Sequence, residues 1–140
     1  MAKTGPIIII EDDTEDRQLM ELALNELNLT QERRFFDKAQ DVLYYLMDTT
    51  EKPFLILSDV DLPGMTGIEL RQRINESFFL SRKSIPFIFF SNSARSEDVD
   101  DAYKTMVQGY FVKPFNIEEL KEKLRIIFTY WSLTEHPNSI

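Results

Sequence analysis

Short, wholly apolar runs alternate along the chain with longer stretches whose apolar residues recur at helical spacing. Ile7, Ile8, Ile9 and Ile10 precede Leu19, Ala23 and Leu27; Phe35 and Phe36 precede Ala39, Val42, Leu43 and Leu46. FLIL at 54–57 leads to Leu70, Ile74 and Phe78, and PFIFF at 86–90 leads to Val99, Ala102, Tyr103 and Met106. YFV at 110–112 comes before Ile117, Leu120, Leu124, Ile127, Phe128 and Trp131. The short runs predict strands and the periodic stretches predict helices, giving five β-then-α units.

Strands that are apolar at every position are buried on both faces, which predicts a parallel sheet with helices on either side. The second run departs from this, because Glu32, Arg33 and Arg34 beside it suit a short edge strand guarded by charge. Right-handed crossovers then favour a doubly wound α/β fold: a five-stranded parallel sheet of order 2-1-3-4-5, (βα)5 and flavodoxin-like. Thr66 and Glu69 read as a capping box, Asn116 and Glu119 as a close relative, and Pro63-Gly64 as a tight turn. Gly109 reads as the left-handed residue ending a helix. One or both of Phe78 and Phe79 are expected to extend the core, with an exposed partner patch as the alternative.

Composition narrows the setting. A chain of 140 residues, 43% apolar and 29% charged, suits one compact domain. No apolar run approaches the length of a spanning helix, and IIII is too short for a signal peptide's core, so a cytoplasmic protein without a membrane partner is expected. The absence of cysteine excludes disulfides, thiolate nucleophiles and Cys-based zinc sites. A net charge of −8, with basic residues only in pairs such as Arg33-Arg34 and Arg82-Lys83, argues against nucleic acid as a partner.

In the predicted topology ligands bind beyond the carboxyl ends of strands 1 and 3. The first strand ends in Glu11, Asp12 and Asp13; the third ends at Asp59, with Asp61 two residues on. Two carboxylates 4 Å apart repel by about 4 kcal/mol at an effective dielectric of 20, so such a group needs a cation or a proton. Hard oxygen donors with room for water suit Mg²⁺. Taken alone, residues 7–13 read first as a helix cap built from Asp12, Asp13 and Thr14, and it is Asp59 at the end of the adjacent strand that shifts the balance. The last two strand ends add the hydroxyl of Ser91 and the ammonium of Lys113, groups suited to phosphoryl oxygens.

The acidic pair in IIIIEDD, the aspartate in SDVDLPGMTG with its L-P-G-M-x-G turn, the hydroxyl in FFSNS and the GYFVKP stretch together resemble the receiver domain of two-component response regulators, specifically the single-domain, CheY-like chemotaxis type. The resemblance covers 6–131, leaving 1–5 as an N-terminal extension and 132–140 as a C-terminal tail. It implies Asp59 as phosphoacceptor and a Mg²⁺ held by Asp12, by Glu11 through water, by Asp59 and by the backbone carbonyl of Asp61. Asp13 is expected outside that shell. Ser91 would contact the phosphoryl group, Lys113 would pair with it, and Tyr110 matches the aromatic switch position.

The resemblance also implies a phosphoryl donor, either a sensor histidine kinase or a histidine phosphotransfer protein, and makes the chain a phosphoacceptor that assists its own chemistry rather than an enzyme. Output is expected through the fourth helix, fifth strand and fifth helix, residues 96–131, onto a protein in trans, a second copy of the chain included. Tyr103, Phe115, Tyr130 and Trp131 are candidate contacts, expected to be partly buried. The single histidine, His136, is expected to have no chemical role.

Several residues depart from the common pattern: Ser91 stands for the more frequent Thr, and Asn92 for a smaller residue. Asp61 and Ser93 flank the path of an attacking water. Two rival readings use the same residues. LILSDVDLP resembles the nucleophile motif of haloacid-dehalogenase-type phosphatases, although Pro63 and the early acidic pair oppose it. A pseudo-receiver, a binding module never phosphorylated, is opposed by the complete set of Glu11, Asp12, Asp59, Ser91 and Lys113.

Overall fold

The computed structural model describes residues 2–137; the tail residues 138–140 lie outside them. Its elements are β1 (Ile7–Ile10), α1 (Thr14–Glu26), β2 (Arg33–Phe36), α2 (Ala39–Asp48), β3 (Leu55–Ser58) and α3 (Gly67–Glu76), then α4 (Phe78–Ser81), β4 (Phe87–Ser91), α5 (Ser96–Tyr103), β5 (Gly109–Val112) and α6 (Ile117–Leu133). A 3-10 turn at Ala2–Thr4 precedes them. All strand pairings are parallel and the order is β2-β1-β3-β4-β5, as the pattern predicts.

Two apolar layers hold this sheet. Alternate side chains Ile8, Ile10, Ile56, Phe87 and Phe89 point to one face, where α2, α3, α4 and α5 cover them. Ile7, Ile9, Leu57, Ile88 and Phe90 point to the other, against α1 and α6. Each isoleucine of β1 is at most 1% exposed, and full burial of such a side chain contributes roughly 1.5–3 kcal/mol. The edge strands β2 and β5 are half-buried. On β2 Arg34 pairs with Glu32 at 2.8 Å and Glu51 at 2.6 Å, so charge does guard that edge.

Helix starts follow local chemistry. Asp13 caps α1 by accepting from the Asp16 amide at 2.9 Å, Thr66 and Glu69 form the capping box of α3, and Asn116 caps α6. Two local expectations fail. The stretch after Ile74 does not continue as one helix to Phe78: Ser77 is extended, ends α3 and caps α4 through the Leu80 amide. That restart moves the buried position to Leu80 and leaves Phe78 77% and Phe79 52% exposed, so neither phenylalanine extends the core. Nor is Gly109 left-handed, since it opens β5. Met106 takes that conformation instead, with φ of 62°, because Arg71 and Asn75 of α3 hold the Thr105 and Met106 carbonyls.

Candidate functional site

The carboxyl ends of β1, β3 and β5 bring the acidic and basic residues together. Glu11 follows β1 directly and is 6% exposed, as is Asp59 after β3. Asp59 is placed by its backbone, whose N–H donates to the Ile10 carbonyl at 3.0 Å, and by its Oδ1, which accepts from the Asp61 amide at 3.1 Å. The backbone N–H of Lys113 donates to the Ser91 carbonyl at 2.8 Å, which carries the lysine past the end of β5 and over the acids. Its Nζ lies 2.6 Å from Glu11 Oε1, 2.8 Å from Asp59 Oδ2 and 2.9 Å from Asp16 Oδ2.

Three hydrogens on the ammonium thus meet three carboxylates. Burial alone would disfavour the charge on Lys113, but the hydrogen bonds it donates to Asp16, Asp59 and Glu11 outweigh it and hold the ammonium well above the usual lysine range. Burial pushes the Glu11 carboxyl up to about 7 against the help of Lys113, with the Asp59 charge adding to the rise. Glu11, Asp12 and Asp59 each offer an oxygen, and these atoms lie within 4.8 Å of one another. Hard, negatively charged donors so spaced fit a small divalent cation, and Asp12, being exposed, leaves space for its water.

Asp13 does not join this group but caps α1, and Asp61 is exposed, its amide engaged with Asp59. Ser91 is fully buried at the end of β4, where its Oγ accepts from the Ser93 amide at 3.3 Å rather than facing a carboxylate. The Tyr110 hydroxyl donates to the Ser93 carbonyl at 2.9 Å, and its half-buried ring packs against Phe89 at 6.2 Å. Ser93 therefore lies between the hydroxyl and the aromatic residue.

Sequence reasoning missed two residues. Asp16, in the first turn of α1, reads as a helix-dipole carboxylate, and nothing local signals its contact with Lys113. Gly67 is required by close approach: a Cβ there would meet the Asp59 carbonyl oxygen at 2.2 Å. The aromatic candidates also differ from expectation. Phe115 is fully exposed, Tyr103 and Tyr130 largely so, and only Trp131 is partly buried. Tyr130 and Trp131 line an apolar hollow of about 300 Å³ together with Phe111, Ile126 and Ile127.

The response regulator receiver domain family matches residues 7–125, and the chain belongs to that family. Chemotaxis protein CheY-3 of Vibrio cholerae is 34% identical over 129 residues, covering 90% of this chain and 93% of that protein. The DNA-binding transcriptional regulator NtrC of Proteus hauseri is 27% identical over 135 residues, 96% of this chain but 27% of its own length, so the chain spans about a quarter of that relative. The crystal structure of the phosphorylated cyanobacterial phytochrome response regulator RcpA superposes with a TM-score of 0.84 at 27% identity, covering 95% of this chain and 98% of that one. The chain is a CheY-like receiver of two-component signalling, a family that acts with histidine kinases or phosphotransfer proteins and with output proteins. The phosphatase reading falls with that result. Among the described residues no helix is long and apolar enough to cross a membrane.

Proposed function

We propose that Asp59 accepts a phosphoryl group from a phosphohistidine of a sensor kinase or phosphotransfer protein, within a receiver unit spanning 6–131. The observation that carries this reading is the Lys113 ammonium 2.8 Å from Asp59 Oδ2 in a pocket shared with Glu11 and Asp12. Asp12 and Asp59 would hold Mg²⁺ directly, Glu11 through water and Asp61 through its backbone carbonyl. The bound ion would neutralise charge on the transferring oxygens.

The chain's own residues do the rest. Asp59 is the carboxylate nucleophile: its oxygen forms the new bond to phosphorus as the histidine nitrogen departs. The transition state is loose, so positioning and charge dominate. Lys113 supplies a fixed positive charge beside Asp59, and no acid or base is required of it. In the product Lys113 pairs with a phosphoryl oxygen, and the Ser91 hydroxyl exchanges the Ser93 amide for another. Ser93 also accepts from Tyr110, so this exchange loosens the aromatic anchor and biases the surface of α5, β5 and α6. That surface, with Phe115 and Tyr130 already exposed, is read as the output face for a protein in trans or a second copy of the chain. A cytoplasmic location accords with a kinase-borne phosphohistidine as donor.

Intact-mass spectrometry after incubation with acetyl phosphate and Mg²⁺ tests the reading. A Mg²⁺-dependent phosphate adduct should form on the native chain and be lost in Asp59→Asn. An equally strong adduct in the variant would remove Asp59 from the role.

A further inference from the structure

Lys113 has one partner that the phosphoacceptor reading does not use. Of its three carboxylates, Glu11 and Asp59 belong to the group whose oxygens fit a divalent cation, whereas Asp16 does not. A cation in that group draws Glu11 and Asp59 toward itself and repels the ammonium. The Asp16 contact alone carries no competing duty. Its backbone is fixed in the first turn of α1, where its amide donates to Asp13 Oδ1 at 2.9 Å. The side chain is 39% exposed at the rim, while that of Lys113 is 13% exposed beneath it.

We propose that Asp16 is a positioning residue that holds the Lys113 ammonium over Asp59 while the acidic group is occupied by a divalent cation and a phosphoryl donor. This rests on the reading of Asp59 as phosphoacceptor. The three carboxylates divide by duty: Glu11 and Asp59 exchange the ammonium for the cation, and Asp16 retains it. Asp16 sits 39% exposed at the rim, where removing its contact costs folding little, so the effect belongs to phosphorylation and not to stability.

The sign of the effect separates positioning from bulk charge. If Asp16 merely added negative charge at the mouth, its neutralisation would speed labelling by an anionic donor. Holding Lys113 in place predicts the reverse.

The experiment measures the rate of Mg²⁺-dependent labelling by acetyl phosphate for the native chain, Asp16→Asn and Asp16→Glu, with Mg²⁺ affinity measured by calorimetry. The Asn substitution is also placed on a Lys113→Ala background and followed over hours at raised donor. Asp16→Asn should slow labelling about fivefold, the scale of a partly exposed ion pair, with Mg²⁺ affinity and melting temperature almost unchanged. Asp16→Glu should recover most of the rate, and in the Lys113→Ala background the Asn substitution should have no further effect. Labelling of Asp16→Asn at the native rate or faster overturns the proposal, as does the same slowing without Lys113. A native chain that takes no label overturns the phosphoacceptor reading itself, and this inference with it.

Discussion

At the scale of single residues, the approach of α3 to the end of β3 leaves Gly67 no room for a side chain. A methyl group there would meet the Asp59 carbonyl oxygen at 2.2 Å and the Phe89 ring at 2.9 Å. Gly67→Ala should therefore destabilise the fold by about 1–3 kcal/mol, the usual cost of forcing extra volume into packed structure, and should slow labelling of Asp59. Urea denaturation beside the labelling assay checks both, and unchanged stability would show that the loop yields freely. Lys113→Ala removes the counter-ion of Glu11 and Asp59. The variant should bind Mg²⁺ more tightly than the native chain, because the cation then enters without displacing an ammonium; weaker binding in a calorimetric titration would contradict this. The carboxylates were legible from spacing, since strands of known order deliver their last residues to one edge. Asp16 was not, because an acidic residue in a first helical turn is explained equally well by the dipole.

At the scale of elements, the strand order was readable because the three central runs, buried on both faces, leave no polar position to blur them. What failed was the stretch from Ser77 to Ser81, where a capping serine restarts the helix and overrides the spacing that pointed to Phe78. Leu80→Ala should cost about 2–5 kcal/mol, the usual loss on truncating a buried leucine, whereas Phe78→Ser should stay within about 0.5 kcal/mol. Chemical denaturation of the two variants decides the matter, and comparable losses would place Phe78 in the core. In the segment after α6, His136 is buried, stacks on Phe54 and meets its carbonyl at 2.5 Å. Burial lowers its pKa below the usual value near 6.5. The unfolded chain then binds more protons than the folded one, so the stability His136 contributes is present above about 6.5 and is lost as pH falls below it. The melting-temperature difference between the native chain and His136→Gln should shrink on acidification from neutral pH; a difference that widens would reverse the assignment.

At the scale of the whole molecule, a sheet buried on both faces holds a charged pocket at the carboxyl ends of its strands and an exposed aromatic face on its flank. Phe115, Tyr103 and Tyr130 stand exposed on that flank although partial burial is the usual state of such large aromatic side chains. Periodicity reports which side of a helix faces the sheet, but not whether a large side chain beyond that stripe is covered. Ser93 joins the two regions by accepting from Tyr110 and donating to Ser91, a link through backbone atoms that no pattern of residue types encodes. All of this turns on where the phosphoryl group lands. Borohydride reduction after labelling with acetyl phosphate and Mg²⁺ converts an aspartyl phosphate to homoserine, and peptide mass spectrometry then locates it. The account predicts homoserine at position 59 alone; homoserine at Asp12, Asp13 or Asp61, or at no position in a chain that has taken up phosphate, would contradict it.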